Sequence, residues 1–184
     1  MSEIVLGVTG SIAAYKAAEL VRALVKGGHS VSVVMTDGAT RFVAPLTFQT
    51  LSRHPVTTGM FDPVVAWEPH HVSLAQRADV LVVAPCTANV IAKLACGIAD
   101  DSLTATALAC RAPLVVAPAM NDAMFAHPAT QANLATLRSR GAAVVAPETG
   151  ELACGTTGPG RLAPLGAILG AIDAALARKE GPTP

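Results

Sequence analysis

Aromatic residues are scarce in this chain. Phe, Trp and Tyr make up 3% of its 184 residues, with one Trp and one Tyr, whereas hydrophobic residues as a whole make up 52%. The core is therefore expected to consist mainly of Ala, Val and Leu in a single domain, for which the length is ample. Because aromatic rings are a usual stacking surface for a planar cofactor, one chain alone has little of this surface to offer.

An excess of either charge is also missing. The chain has 13 Lys and Arg residues, 13 Asp and Glu residues and a formal net charge of zero, without a basic block. This balance argues against binding to nucleic acid or to an anionic membrane surface. No apolar run reaches the ~18 residues that a membrane-spanning helix needs. Met1–Glu3 leads into a strand pattern without the features of a secretory signal peptide. We therefore predict a cytoplasmic protein with neither a nucleic-acid nor a membrane partner.

The four cysteines lack the spacing of a structural zinc site. Cys86, Cys96, Cys110 and Cys154 contain no Cys-x-x-Cys pair. In the cytoplasm they are expected to be free thiols. The acid pair 100–101 is better explained as a helix cap than as a metal site, because no further carboxylate cluster accompanies it. No metal is expected.

Short apolar runs alternate with helix-compatible stretches along the chain. This order predicts an α/β fold: a Rossmann-like, doubly wound parallel sheet in a three-layer αβα arrangement. The runs are apolar throughout, which indicates strands covered on both faces. We expect one domain over residues 1–178 and a frayed tail over residues 179–184. Strands are predicted at 4–8, 31–35, 79–84, 113–117 and 142–146, and helices at 12–26, 46–52, 72–77, 88–96, 103–110, 129–140 and 165–178.

The first predicted strand is followed by a glycine-containing turn, Gly7–Ala13 (GVTGSIA). It is similar to the dinucleotide fingerprint, but its glycines are three residues apart and the third glycine is missing. Backbone amides at a helix N-terminus bind phosphate well, and the Ser11 hydroxyl adds a donor. Asp37 stands where an NAD-binding acid would stand, whereas Thr36 and Thr40 suit either a second phosphate contact or ordinary helix capping. NAD and a mononucleotide both remain open at this point.

Polar residues also follow the third and fourth predicted strands. Thr87 and Asn89 come at the head of a helix, where they suit either the polar edge of a ring or a helix cap. Asn121 follows the fourth strand, and the carboxyl ends of parallel strands are where ligands bind in open α/β sheets. Asn121 could therefore hold a substrate carboxylate, with helix capping as the alternative.

Two further segments carry groups that can exchange protons. His71, the second residue of a His-His pair, titrates near neutral pH, although a loop histidine can equally be merely solvated. Trp67, just before this pair, could cover a site or pack on the surface. The segment 150–161 has four glycines in eleven residues and is predicted to be a mobile loop. Cys154 on this loop, with Arg161 nearby, could act as an acid over a site, or the segment could be a surface hairpin with an inert thiol.

Taken together, these segments resemble the homo-oligomeric flavin-containing cysteine decarboxylases, and most closely the phosphopantothenoylcysteine decarboxylases of coenzyme A synthesis. The resemblance extends in order from residue 4 to about residue 175. The matching segments are Gly7–Lys16 (GVTGSIAAYK), Pro45–Ser52 (PLTFQTLS), His71–Ala75 (HVSLA), Ala84–Ala92 (APCTANVIA), Ala99–Thr104 (ADDSLT), Ala117–Phe125 (APAMNDAMF), His127–Asn133 (HPATQAN) and Ala153–Arg161 (ACGTTGPGR).

The resemblance implies FMN as the cofactor, at a site between the subunits of a homotrimer, which can assemble into a dodecamer. It implies His71 as the catalytic base, Asn121 as the anchor of the substrate carboxylate and Cys154 as the proton donor, with Arg161 also binding substrate. The implied FMN-binding residues are Gly10, Ser11, Ile12, Thr36, Thr40, Phe42, Thr87, Ala88, Asn89, Ala119 and Met120.

The implied reaction removes CO2 from a cysteine carboxyl group. Hydride transfer from Cβ to the flavin turns the thiol into a thioaldehyde, and the electron pair left by CO2 then delocalises onto sulfur as an enethiolate. Protonation of carbon and return of the hydride give the saturated amine-thiol. The substrate is expected to be phosphopantothenoylcysteine, and the alternative is the C-terminal cysteine of a precursor peptide, which would leave as an enethiol.

Some features depart from the family or leave other classes open. Cys86 stands where the family often has Ala or Ser, and Phe125 where Trp is usual, and both departures concern the substrate pocket more than the flavin. An NAD-binding oxidoreductase, a catalytically silent regulatory flavoprotein and a flavin prenyltransferase are the competing hypotheses. The presence of His71, Asn121 and Cys154 together favours the decarboxylase.

Overall fold

The computed structural model describes residues 1–61, 70–153 and 155–179. Its centre is a parallel sheet of five strands in the order β2-β1-β3-β4-β5. The predicted Rossmann-like fold is confirmed, and all five strands lie within two residues of their predicted bounds. The strands are β1 (Glu3–Val8), β2 (Ser30–Met35), β3 (Val80–Cys86), β4 (Leu114–Pro118) and β5 (Ala143–Val144).

Helices connect the strands and continue beyond the last one. The predicted helices are all present, while α2 and α7 are short elements that the periodicity did not indicate. The helices are α1 (Ala14–Lys26), α2 (Asp37–Thr40), α3 (Pro45–Ser52), α4 (His70–Arg77), α5 (Ala88–Cys96), α6 (Ser102–Ala109), α7 (Asp122–Ala126), α8 (Pro128–Ser139) and α9 (Leu165–Lys179).

Both faces of the sheet are covered, as the apolar strands predicted. On one face Leu20 of α1, Phe48 of α3 and Ile172 of α9 are buried in one apolar cluster. On the other face Leu74 of α4, with Ile91 of α5 and residues of α6 and α8, belongs to a second cluster. The sheet therefore separates two cores in a three-layer αβα arrangement, built largely from aliphatic residues.

Two element boundaries differ from the sequence prediction for local reasons. Helix α1 begins at Ala14 rather than at residue 12, because the chain first makes a turn in which Ala14 N–H donates to the Ser11 carbonyl at 2.9 Å. Strand β5 is shorter than predicted because it pairs with β4 through two residues, and Pro147, which lacks an N–H group, follows shortly afterwards. Helix α9 extends through Lys179, one residue into the predicted tail, and residues 180–184 lie outside the described residues.

The glycine-rich segment after β5 is an antiparallel hairpin. Its strands are β6 (Glu148–Glu151) and β7 (Thr157–Arg161). The alternative of a hairpin is therefore confirmed for the part of this segment that the structure describes, while the predicted mobility stays a prediction. The hairpin is attached to the end of β4, since Met120 N–H donates to the Gly160 carbonyl at 2.9 Å. Cys154 lies outside the described residues.

Candidate functional site

The strand order changes direction between β1 and β3, which are neighbours in the sheet. In such sheets this switch point, at the carboxyl ends of the strands, is where the connecting loops diverge and a ligand can enter. Thr9, directly after β1, is fully buried here. Its hydroxyl donates to the Pro85 carbonyl at 2.8 Å and accepts from Thr87 N–H at 3.0 Å. One side chain thus joins two loops that are far apart in sequence.

The turn after β1 lies against the turn after β2. A Cβ atom added at Gly10 would lie 3.0 Å from the carbonyl carbon of Gly38, and a Cβ at Gly38 would lie 3.3 Å from the Cα of Gly10. The two backbones therefore approach more closely than side chains would allow. This contact brings the start of α2 beside the start of α1.

Three residues at this edge cap the helices that follow them. Thr36 accepts from Ala39 N–H at 3.3 Å and Thr87 accepts from Val90 N–H at 3.4 Å. Asn121 Oδ1 accepts from Ala123 N–H at 2.9 Å. The capping alternatives considered for these residues are confirmed. In Asn121 the amide oxygen faces its own helix, so the NH2 group is the side of the amide that can donate to a carboxylate.

A cavity of about 630 Å³ opens at this edge of the sheet. Eight of the predicted site residues form part of its wall: Gly10, Ser11, Ile12, Thr87, Ala119, Met120, Asn121 and Arg161. Sequence reasoning did not single out several other residues of the wall, among them Tyr15, Lys16 and Leu152. The first two follow the glycine turn by one helical turn, which is the signal that could have indicated them.

Five of the predicted cofactor-binding residues are not in the wall of this cavity. Thr36 comes directly before α2, Thr40 ends α2 and Phe42 follows it, while Ala88 and Asn89 begin α5.

His71 is in the first turn of α4, outside the walls of the cavity, and Cys154 lies outside the described residues, as does Trp67. A single chain therefore gathers the loops after β1, β3 and β4, while the predicted base stands apart.

The hairpin contributes the far wall of the cavity. A Cβ atom at Gly158 would lie 2.7 Å from the Cβ of Asp122, and one at Gly160 would collide with the Met120 carbonyl oxygen. Gly160 also has a φ of +140°, which side chains rarely tolerate. The two glycines let β7 lie directly on the start of α7, so that Arg161 enters the same cavity as Asn121.

Cys86 ends β3 close to this site, but its thiol is fully buried. Burial raises the pKa of this thiol far above its usual range, because the thiolate would lose its hydration. The thiol therefore stays protonated at neutral pH, and its Sγ lies 3.9 Å from the Thr87 carbonyl oxygen. Cys86 acts as a small apolar residue of the core.

A second cavity, of about 530 Å³, lies at the opposite edge of the sheet. Its wall includes Gly97, Cys110 and Gly141, the residues that come just after the ends of α5, α6 and α8. Arg140 donates from Nη1 to the Ala95 carbonyl at 2.8 Å, so this basic side chain satisfies an exposed carbonyl group at a helix C-terminus. The same wall includes two more arginines, Arg111 and Arg178.

Residues 1–61, 70–153 and 155–179 contain neither a cluster of metal ligands nor a membrane-spanning helix. They contain no group of three or more His, Cys, Asp or Glu side chains placed to hold a metal ion. Among the same residues, no helix has both the length and the apolar character needed to cross a bilayer.

The arrangement just described occurs in a known family. The model of the family described as Flavoprotein matches residues 1–177. The chain belongs to the flavoprotein family. It is 53% identical over 159 residues to the coenzyme A biosynthesis bifunctional protein CoaBC of Mycolicibacterium smegmatis, which covers 86% of this chain and 38% of that protein. It is 51% identical over 159 residues to the protein of the same name from Bacillus subtilis, over 86% of this chain and 39% of that protein. The flavoprotein chain thus spans less than half the length of these curated relatives.

Solved structures with the same fold cover nearly the whole chain. The FMN-dependent cysteine decarboxylase SpaF is 34% identical with a TM-score of 0.84, covering 98% of each chain. A mutant PPC decarboxylase in complex with pantothenoylaminoethenethiol is 30% identical with a TM-score of 0.83, over 94% of this chain and 97% of that one. The family resemblance predicted from the sequence is confirmed.

Proposed function

We propose that this flavoprotein is an FMN-dependent cysteine decarboxylase that converts phosphopantothenoylcysteine to phosphopantetheine. The observation that carries the proposal is the cavity at the carboxyl edge, where the turn after β1, the helix cap Asn121 and the hairpin residue Arg161 share one wall. Relatives at about half identity are named for coenzyme A biosynthesis, and a neighbouring solved structure contains a decarboxylated pantothenoyl compound. Both point to the same substrate.

The residues of this cavity fit FMN. The close approach of Gly10 and Gly38 leaves a cradle without side chains beside the start of α1, and backbone N–H groups at a helix start favour a phosphate. Ser11 and Thr87 add hydroxyl groups, and Met120 adds an apolar surface for a ring. We assign Thr36, Thr40, Phe42, Ala88, Asn89 and Ala119 to the same cofactor, as the family resemblance implies.

Apolar side chains around the cavity are unusually exposed for one chain. Ile12 is 59% exposed, Tyr15 56%, Phe42 49% and Met124 49%. Exposed apolar groups beside a site favour a contact with another copy of the chain. We therefore infer a homotrimer, able to form a dodecamer, in which the cofactor lies between subunits. His71 stands outside the cavity of its own chain, so its role as base requires that copies complete the site together.

The protein groups would divide the reaction between them. FMN, when bound, supplies the oxidising equivalent that removes a hydride from the substrate Cβ and returns it at the end. Asn121 donates from its amide NH2 group to the substrate carboxylate and holds it beside the apolar wall, where loss of charge as CO2 is favoured. His71 takes the thiol proton, and Cys154 gives a proton to carbon after CO2 has left.

Mass spectrometry of products tests this proposal. The FMN-loaded protein is incubated with phosphopantothenoylcysteine and, separately, with a short peptide ending in cysteine. Loss of CO2 alone from the first substrate is expected. Absence of flavin from the purified protein, judged by its absorption spectrum, would contradict the proposal before any turnover is measured.

A second candidate is decarboxylation of a peptide C-terminus. SpaF, with a TM-score of 0.84 over 98% of both chains, is named only as an FMN-dependent cysteine decarboxylase, so this likeness leaves the carrier of the cysteine open. Loss of CO2 and two hydrogens from the peptide, with phosphopantothenoylcysteine unchanged, would establish this function instead. Cys154 would then be a loop residue without a role in protonation.

A further inference from the structure

Arg161 has two neighbours on the opposite strand of the hairpin, Glu148 and Gly150. It pairs across the two strands with Glu148, whose Oε2 lies 4.0 Å from the Arg161 Nε. Both side chains are about half exposed, at 49% and 43%, so the pair is weak in energy. Its effect is directional: Glu148 faces the Nε side of the guanidinium, and the two terminal amino groups lie on the other side of that planar group.

Gly150 determines where the arginine lies. A Cβ atom at Gly150 would be 3.3 Å from the Arg161 Nη1 and 3.4 Å from its Cδ. The side chain therefore runs across the bare backbone of β6. Gly150 is not among the glycines with positive φ, so its conformation is open to other residues and the space it leaves is its distinguishing feature. A larger residue at position 150 would displace the Arg161 side chain from the backbone of β6.

The backbone next to Arg161 is hydrogen-bonded to the turn that carries Asn121, the proposed anchor of the substrate carboxylate. Gly160, the neighbour of Arg161, accepts from Met120 N–H, and Met120 is the neighbour of Asn121. A strand-to-turn hydrogen bond thus holds the backbones that carry Arg161 and Asn121 next to each other. Two cationic side chains, Lys16 and Arg161, and one anionic side chain, Glu151, are in the cavity wall.

A substrate with two separate anionic groups suits this pair of anchors. If Asn121 holds the cysteine carboxylate, Arg161 faces a second anion, and guanidinium groups bind phosphoryl oxygens through paired donors. We propose that Arg161, oriented by Glu148 across Gly150, binds the phosphoryl group of the substrate and sets the preference for phosphorylated over unphosphorylated pantothenoylcysteine. This inference rests on the proposed function and names its specificity-determining residues.

The test compares kcat and KM for phosphopantothenoylcysteine and pantothenoylcysteine in the FMN-loaded enzyme. For Arg161→Gln we expect KM to rise about 10- to 100-fold for the phosphorylated substrate and to stay within about twofold for the other, as for loss of a charge-assisted hydrogen bond. For Glu148→Gln and Gly150→Ala, which leave the charge but disturb its position, we expect a rise of about threefold to tenfold with the same selectivity. In each case kcat should change little.

Controls separate this role from a structural one. Arg138→Gln, on the exposed face of α8, and Gly170→Ala, on the exposed side of α9, should leave both KM values unchanged. Binding of 4′-phosphopantothenate and of pantothenate, neither of which can react, is measured by calorimetry on the same variants. Arg161→Gln should remove the advantage of the phosphorylated compound.

Two outcomes would overturn the inference. Equal loss of affinity for both substrates would place Arg161 on the part that they share. Equal turnover of both substrates by the unaltered enzyme would show that no phosphoryl preference exists, while leaving the decarboxylase function intact. Failure of the unaltered enzyme to decarboxylate either substrate would instead contradict the proposed function, and the inference with it.

Discussion

The two edges of the sheet both have cavities, but they are built from opposite ends of the helices. At the carboxyl edge, helices begin with side-chain caps at Thr36, Thr87 and Asn121. At the amino edge, α5, α6 and α8 end around a cavity. Helix starts expose N–H groups and a partial positive charge, whereas helix ends expose carbonyl groups and a partial negative charge.

The two cavities have similar volumes, about 630 Å³ and about 530 Å³, so this difference in helix ends distinguishes them better than size does. At the amino edge Arg140 donates to the Ala95 carbonyl near the end of α5, so a carbonyl group offsets part of its charge, and Arg111 and Arg178 are in the same cavity wall. At the carboxyl edge the positive ends of helices are joined by close backbone contacts at Gly10 and Gly160, which leave room for a ligand. This favours the carboxyl edge for the proposed anionic cofactor, and substitutions at the two edges are expected to have unequal effects.

Gly160→Ala should have the largest effect of the substitutions considered. The φ of +140° and the collision of a Cβ with the Met120 carbonyl oxygen together should lower the free energy of unfolding by about 3 kcal/mol or more. The hairpin should also separate from the end of β4, with loss of turnover. Urea denaturation followed by circular dichroism measures the first effect. Gly170→Ala in α9, where a Cβ meets nothing within 4 Å, should instead stabilise the protein slightly.

Thr9→Val tests the join between the loops after β1 and β3. Valine has nearly the same shape, but it leaves the Pro85 carbonyl and the Thr87 N–H without the hydroxyl that they share. Loss of about 2–4 kcal/mol of stability and weaker FMN binding are expected. Thr106→Val is the matched control: it is equally buried, but its hydroxyl bonds within one turn of α6, so it should cost less than about 1 kcal/mol. Equal losses of stability in the two variants would show that the Thr9 hydroxyl is no more important than that of Thr106, which contradicts its role in joining the two loops.

Arg140→Gln tests the amino edge. It removes the hydrogen bond to the Ala95 carbonyl, for which a loss of about 0.5–1.5 kcal/mol is expected. Flavin affinity should be unchanged, because the substitution lies at the opposite edge from the proposed site. A fluorescence titration with FMN checks this, and a clear loss of affinity would show that the two edges are coupled.

The ion pairs of Lys93 should have the smallest effect. A hydrogen bond with Asp100 at 2.7 Å raises the pKa of Lys93 above 10.5 and lowers the pKa of Asp100 below 3.8. Charged Lys93 contributes to the stability of the fold fully below pH 10.5, and this contribution is lost as pH rises through its raised pKa. Charged Asp100 contributes to stability fully above pH 3.8, and this contribution is lost as pH falls through its lowered pKa. Lys93→Met should slightly lower Tm at pH 7. The difference in Tm between pH 7 and pH 3 should be smaller for this variant than for the unaltered protein. High salt should lower the Tm of the unaltered protein in the same way, because it screens exposed ion pairs. A Tm that does not change with salt concentration would contradict this explanation.

The fold could be predicted from the sequence because its signals are local. Each central strand is a buried apolar run, and helix caps such as Asp101 and Thr87 stand directly before the helices that they start. The β6–β7 hairpin was only the alternative prediction, because its strands are rich in Gly, Pro and polar residues instead of forming apolar runs, and because its position depends on contacts with Met120 and Asp122. Those contacts cannot be seen from neighbouring residues alone.

The site was predicted less completely for a related reason. Residues in glycine turns and helix caps were found, since a polar residue after a strand is a visible signal. Thr9 was missed because its role depends on a loop 76 residues away. Tyr15 and Lys16 were missed because they lie inside α1 and not directly after a strand, although their spacing from the glycine turn was an available signal. The roles of His71 and Cys154 stay predictions.

The hairpin is attached to the remainder of the fold largely through backbone, by the bond from Met120 to Gly160 and the bare positions at Gly158 and Gly160. Such an attachment places few demands on the identity of the side chains along the hairpin. The tip and the outward residues can therefore be exchanged as a cassette while the turns after β1 and β3 are left alone. Libraries of hairpins transplanted onto this scaffold should retain flavin and differ in the compounds that they accept.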